Sequence, residues 1–266
     1  MNARYLTAAV GIPIVLGLVW LGGTPFVVVV AILALLAMRE LELVCRRAKT
    51  PIAAIVAYPA LLFILAVTWQ FAREGERLHA DAVWIWLVPM AMLAAGVLLF
   101  GTRQKISLVS IALTQLAVVY VGLFAFLILL RLFPSGGLHL FWVVILGVWT
   151  SDSAAYFAGR KFGTLSLTPL SPGKTREGLA AGVLASIVLC GALAMYFGFA
   201  FYHAIALGVL VALSAPMGDL IESFWKRELN AKDMGAILPG HGGVLDRCDS
   251  LLLACFVVYL YALRFL

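Results

Sequence analysis

Apolar residues run along this chain in blocks too long for a soluble core, separated by short polar joints. A helix that crosses a bilayer needs roughly 20 such residues, with about 17 to 25 tolerated. About nine blocks approach that length: 5–21, 25–38, 51–71, 82–100, 106–130, 138–157, 178–197, 200–218 and 250–266. The expected fold is therefore all-α, a polytopic integral membrane protein with about nine transmembrane helices. The first block, with Arg4 ahead of it, resembles a signal peptide, but no good small-residue cleavage site follows. The pattern divides the chain into N-terminal spans over 1–137, about five of them, and a C-terminal region over 138–266. That second region holds two long polar loops, 158–177 and 219–249.

Composition agrees with the pattern. The chain is 64% apolar and 12% charged, with a mean hydropathy of +1.07, against roughly 45–50% and 25% for soluble domains. A net charge of +6 raises nucleic acid as a partner. The basic residues sit between apolar blocks and form no continuous stripe, so no nucleic-acid partner is expected; the bilayer is the partner. Cytoplasmic loops carry an excess of Lys and Arg. With the N-terminus inside, the inside set is Arg4, Arg39, Arg46, Arg47, Lys49, Arg103, Lys105, Arg160, Lys161, Lys174, Arg176, Lys226, Arg227, Lys232 and Arg247. Only Arg73, Arg77, Arg131 and Arg264 of the 19 basic residues fall outside. Nine spans then put the C-terminus outside and both long loops in the cytoplasm. Cys45, Cys190, Cys248 and Cys255 show no CxxC and no zinc spacing, and are read as core thiols.

Loops on a rigid scaffold carry chemistry more often than the scaffold does. Ionised groups near hydrocarbon are expensive, so the charge concentrated between Ser223 and Asp249 points to a site. Asp219, Glu222, Ser223 and Lys226 fall at i, i+3, i+4 and i+7, one face of a helix if the eighth block continues. Asp246 and Asp249 share a face at the start of the ninth. Carboxylates on two helix ends suit Mg²⁺, which is bound by one or two of them and keeps waters or phosphates elsewhere. The bland alternative is that Asp219 and Asp246 pair with Lys226, Arg227 or Arg247 as interfacial salt bridges. Pro239-Gly240-His241-Gly242-Gly243 is no regular helix, and its glycines let backbone N–H groups approach an anion, or else form a plain tight turn. His241 is read as a hydrogen-bonding group for a phosphate or a base.

The other loop offers Asp152, then Gly159-Arg160-Lys161-Phe162-Gly163, then Ser171-Pro172-Gly173-Lys174-Thr175-Arg176-Glu177-Gly178. Lys174-Thr175 has the look of a P-loop pair, but the spacing lacks the first glycine, so this is no Walker motif. It still supplies cations beside a helix N-terminus, where an anion is favoured. Arg160 and Lys161 read as positive-inside anchors. Asp152 reads equally as a metal or substrate group and as a partner for a loop cation. Gly178, Gly182, Ser186, Cys190 and Ala194 recur every four residues, a stripe for close helix packing.

The stretch from Ser223 through Lys226-Arg227, Lys232-Asp233, Gly235, Leu238-Pro239, His241-Gly242-Gly243, Asp246-Arg247 and Asp249 resembles the signature of the phosphatidate cytidylyltransferases, also called CDP-diacylglycerol synthases. Asp152, Tyr156, Gly159-Arg160, Gly163, Ser171-Pro172, Lys174-Thr175 and Glu177-Gly178 also match that family. Trp225 and Cys248 depart from it in packing positions, and Gly173 and Arg176 depart in the upstream loop. The resemblance covers the C-terminal half; the first five spans match only in being apolar.

The resemblance implies transfer of a cytidylyl group from CTP to phosphatidate, giving CDP-diacylglycerol and pyrophosphate in phospholipid biosynthesis. It also implies a divalent cation, read as Mg²⁺, and a homodimer; a second cation that clamps the attacking and leaving oxygens is compatible with the chemistry. On that basis Asp219 and Asp246 are the expected metal ligands, with Asp249 a further ligand or a group that orients them, and Asp219, Asp246, Lys226 and Asp249 are the expected catalytic set. Asp152, Lys174, Thr175, Ser223, Arg227, Lys232, His241, Gly242, Gly243 and Arg247 are the expected substrate-binding residues. Two rival readings are an enzyme acting on another lipid phosphate and an ion or solute transporter. The DGxxAR…GxxxD…D pattern of CDP-alcohol phosphotransferases is absent.

Overall fold

In the computed structural model, which describes residues 3–74, 107–235, 237 and 242–266, the apolar blocks are helices. Helix α1 (Ala3–Leu21) is followed by α2 (Gly23–Arg47), whose buried residues Phe26, Val30, Ala34, Ala37, Met38, Leu41 and Cys45 recur every three or four positions. Such spacing lines one helical face. The block expected to end at residue 38 continues nine residues further, because its polar end is helix-compatible. Arg46 and Arg47 complement the C-terminal dipole. The buried Glu42 is satisfied by Arg39 at 3.0 Å, Arg46 at 2.6 Å and the Tyr58 hydroxyl at 2.8 Å.

Helix α3 (Ala54–Glu74) is joined to α4 (Leu108–Gly122) through Thr114, whose Oγ1 accepts the Ala53 N–H at 2.9 Å. Ser107 caps α4 by accepting the Ser110 N–H at 3.1 Å. The single block expected at 106–130 breaks at Leu123 into α4 and the short α5 (Phe124–Arg131), in which Phe124 through Leu130 are all buried. Arg131 donates to Val19 O at 2.6 Å and Trp20 O at 3.0 Å, supplying cationic donors to the C-terminal carbonyls of α1. The block expected at 82–100 lies outside the described residues.

Helix α6 (Gly137–Phe162), an antiparallel hairpin of β1 (Ser166–Thr168) and β2 (Ser171–Thr175), α7 (Arg176–Tyr196), α8 (Phe201–Glu228) and α9 (Leu245–Phe265) follow. Gly178, Gly182, Ser186, Cys190 and Ala194 are the buried residues of α7, and α6 and α8 pack against that helix. A Cβ on Gly182 would stand 2.7 Å from Ser151 O, and Ser186 Oγ donates to Gly147 O at 3.2 Å. The stripe is thus used for packing within the chain.

Among the described residues six helices are long and apolar enough to cross a membrane: Ala54–Arg73, Leu108–Arg131, Gly137–Phe162, Arg176–Tyr196, Phe201–Glu228 and Leu245–Phe265. The fold is helical and of membrane type; the expected count of about nine spans is not reached among these residues. The chain forms two compact units. One comprises Met1–Leu132 with Leu229–Arg247, the other Phe133–Glu228 with Cys248–Leu266. The hairpin was not expected. It occupies the loop predicted at 158–177, where Pro169-Leu170 makes the turn between strands in register Ser166↔Thr175 and Thr168↔Ser171.

Candidate active site

In the unit built from α6 to α8 and most of α9, the predicted face of α8 is real. Ser223 Oγ donates to Asp219 Oδ1 at 3.4 Å, and Lys226 Nζ to Glu222 Oε2 at 3.1 Å. The other Asp219 oxygen is engaged by the Lys174 ammonium. The hairpin delivers that lysine. Thr175 ends β2 and caps α7, its Oγ1 accepting the Gly178 N–H at 3.1 Å, which fixes the residue before it. At the turn, Leu170 O accepts from Arg227 Nε at 3.1 Å, tying the hairpin to the end of α8. Asp219 thus pairs with Lys174 rather than with any of the cations that spacing suggested.

These groups border a cavity of about 360 Å³ whose walls include Asp152, Tyr156, Arg160, Lys174, Thr175 and Asp219, with Leu167, Leu179 and Pro216 as apolar surface. Asp152 faces it from α6 and acts electrostatically on Asp219, Asp249 and Lys174. Arg160 donates to the Tyr156 hydroxyl at 3.4 Å. Glu222 is fully buried and Asp249 is 8% exposed, and the two carboxyl groups are within hydrogen-bonding reach. The absence of a Cβ on Gly218 admits the α9 backbone, since one built there would lie 3.0 Å from Ser250 Cα. So Asp152, Lys174, Thr175, Asp219, Ser223, Lys226, Arg227 and Asp249 belong to one unit and centre on one region.

The remaining candidates lie in the other unit. Asp246 Oδ2 accepts the N–H groups of Met234 at 3.0 Å and Gly243 at 2.9 Å. The Val244 and Leu245 N–H groups donate to Glu40 Oε1 at 3.0 Å and Oε2 at 3.1 Å. The N–H of Gly243, expected to meet a substrate anion, is thus engaged by a carboxylate of the chain itself. Gly242 adopts φ +85°, a left-handed conformation that glycine takes at no steric cost. Lys232 and Arg247 are exposed. His241 lies outside the described residues.

Among the described residues no three His, Cys, Asp or Glu side chains form a ready-made metal cage. The donor chemistry around the cavity still fits a hard divalent cation. Asp152 and Asp219 put carboxylate oxygens at the cavity wall beside Lys174 and Arg160, the hard oxygen donors that such a cation takes. Magnesium is commonly held by one or two carboxylates with substrate phosphates and water completing the shell.

A model of the cytidylyltransferase family matches residues 2–265. The chain belongs to that family. It is similar to the phosphatidate cytidylyltransferase of Bacillus subtilis (strain 168), with 31% identity over 277 residues covering 99% of this chain and 98% of that protein. The protein of that name from Staphylococcus aureus (strain COL) is 33% identical over 258 residues, 94% of each chain. The N-terminal region, which carries no motif, is therefore within the cytidylyltransferase match as well. Two residues of this family member escaped the sequence reading as candidates, Glu40 and Glu222. Glu222 was visible on the Asp219 face. Glu40 had one indirect signal, the spacing of Gly235 and Gly243, at which a Cβ would overlap its carboxyl group.

Proposed function

We propose that this chain transfers the cytidylyl group of CTP to phosphatidate, releasing pyrophosphate and leaving CDP-diacylglycerol in the bilayer. The observation that carries the reading is similarity over nearly the whole length to proteins named phosphatidate cytidylyltransferase. The cavity supports it: charged groups of both signs share walls with leucines and proline at the ends of apolar helices. A lipid phosphate and a water-soluble nucleotide have to meet at such a boundary. The positive-inside bias of the sequence supports the cytoplasmic face of the membrane as that boundary.

In the reaction a non-bridging oxygen of the phosphatidate phosphate attacks the α-phosphorus of CTP. The bond from that phosphorus to the oxygen bridging to the β-phosphate breaks, and pyrophosphate departs with the negative charge. Such chemistry is catalysed chiefly by positioning and by neutralising charge. Lys174, held by Asp219, presents its ammonium at the cavity wall; Lys226, Arg227, Lys232 and Arg247 are the further cations of this reading. Asp219 and Asp249 would hold Mg²⁺; Asp246 is a metal ligand on the resemblance alone. Bound Mg²⁺ supplies positive charge at the phosphate oxygens and the leaving pyrophosphate. Asp152 and Ser223 orient the Lys174–Asp219 pair and the substrate beside it. Assembly as a homodimer is part of the reading, but the α7 stripe is consumed by contacts within the chain and does not carry it.

Purified full-length protein in nanodiscs, given α-labelled CTP, phosphatidate and Mg²⁺, should form labelled CDP-diacylglycerol and pyrophosphate in equal amounts. Chelation with EDTA should stop both, and added Mg²⁺ should restore them. Turnover with only an isoprenoid ether phosphate would overturn the substrate assignment. No pyrophosphate release with any lipid phosphate, alongside ion flux in liposomes, would overturn the enzyme.

A further inference from the structure

Residues 39–42 read Arg-Glu-Leu-Glu near the end of α2, and the two glutamates have opposite fates. Successive helical residues turn by about 100°, so side chains two apart point roughly 200° from one another. Glu42 meets Arg39, Arg46 and Tyr58. Glu40, 1% exposed, meets backbone. Its two oxygens accept the N–H groups of Val244 at 3.0 Å and Leu245 at 3.1 Å, and Ile237 adds a further backbone hydrogen bond. Ile237 and Val244 flank the run that contains Leu238-Pro239-Gly240-His241-Gly242-Gly243, and Leu245 is the first residue of α9. One carboxyl group therefore ties Ile237 to the start of α9.

The glycines follow from it. A Cβ on Gly243 would stand 2.6 Å from Glu40 Oε2, and one on Gly235 would overlap the same carboxyl group. A side chain at either position would collide with Glu40, so at Gly243 the anion that the backbone approaches is one of the protein's own. A buried carboxylate without hydrogen bonds costs several kcal/mol, and an apolar residue would fill a core position without that burden. Glu40 instead receives the N–H groups of a helix start, where negative charge is favoured. Asp246 then accepts from Met234 and Gly243 inside the same loop, so the backbone bearing Asp246 is set by the clamp at Val244 and Leu245.

We propose that Glu40 is a positioning residue for the cytidylyl transfer: by pinning Ile237, Val244 and Leu245 it holds the start of α9, and with it Asp246, in the geometry the reaction uses. This rests on the reading of the reaction given above. The test compares Glu40→Gln, Glu40→Asp and Glu40→Ala with Glu42→Gln, all in the full-length protein in nanodiscs. Misplacing a reacting constellation by about 1 Å costs on the order of 10²-fold in rate, so the Glu40 variants should lose about that much kcat per folded molecule, with KM for phosphatidate little changed. Glu40→Asp keeps the charge but not the reach, and should fail with the others. Glu42→Gln should lower the thermal midpoint and leave kcat per folded molecule at the wild-type value.

Amide hydrogen exchange supplies a readout independent of turnover. In Glu40→Gln, which preserves volume, exchange at Val244 and Leu245 should accelerate while α3 and α4 stay protected. Glu40 variants with wild-type kcat per folded molecule, or with activity lost only in step with folded protein, would overturn the proposal. Unchanged exchange at Val244 and Leu245 would do the same. A wild type inert towards CTP and phosphatidate would overturn the reading of the reaction, a result distinct from active wild type with equally active Glu40 variants.

Discussion

Lys174 and Asp219 face each other with side chains 33% and 28% exposed, so solvent screens their attraction and the pair contributes no more than about 1 kcal/mol to folding. Its value lies in the reaction. Asp219→Asn and Lys174→Ala should therefore cut kcat by roughly 10²- to 10³-fold while the thermal midpoint in detergent barely moves. Lys226 and Glu222 carry stability as well. Their side chains are 17% and 0% exposed, and Glu222 lies beside Asp249, so Lys226→Met strands a buried charge. That costs about 3–5 kcal/mol and should appear as a large fall in the thermal midpoint. Equal stability losses in Lys174→Ala and Lys226→Met would contradict this division. The sequence displayed the face that carries Asp219, Glu222, Ser223 and Lys226 because i, i+3, i+4 spacing is local. It did not display the Lys174 partner of Asp219, since 45 residues separate them and only the hairpin brings them together.

At the scale of elements, legibility tracks how local the cause is. The small-residue repeat of α7 was visible, and the structure uses it against α6 and α8. The extension of α2 to Arg47 was not, because Arg39, Glu40, Glu42 and Arg46 look like loop residues until the partners of Glu40 and Glu42 on other segments are known. The hairpin was hidden for a similar reason: Ser166–Thr168 is three residues long, too short for a period-two pattern to register. The α7 packing makes a sharp comparison between two glycines of one helix. At Gly182 a Cβ would lie 2.7 Å from a backbone oxygen and 3.1 Å from Ala155 Cβ, whereas at Gly191 the nearest atom is Ala204 O at 3.8 Å. Gly182→Ala should destabilise by about 1–3 kcal/mol through overpacking. Gly191→Ala should be neutral or gain up to about 1 kcal/mol in helix propensity. Thermal melts of the two variants in the same detergent decide it, and equal shifts would show that α7 packs differently.

For the whole molecule the question with functional weight is which side of the bilayer receives the hairpin. Helix α7 has 21 residues; at about 1.5 Å per residue that is roughly 31 Å, close to the hydrocarbon thickness of a bilayer. Its two ends therefore reach opposite interfaces. At one end stand Arg160, Lys161, Lys174 and Arg176; at the other stand Tyr196, Phe197, Phe199, Phe201 and Tyr202 with no Lys or Arg among them. Cationic loops stay in the cytoplasm and aromatic rings gather at interfaces, so the hairpin end should be cytoplasmic. Pro172 is exposed in the hairpin, and Tyr196 is 83% exposed at the far end. Three of the four native cysteines are buried and Cys248 is half-buried, which makes Cys248→Ser a suitable background. In that background Pro172→Cys should react with a membrane-impermeant maleimide only in inside-out vesicles, and Tyr196→Cys only in intact spheroplasts. Labelling of Pro172→Cys from the outer face would remove Lys174 and Asp219 from the compartment that holds CTP, and the proposed reaction would fail with it.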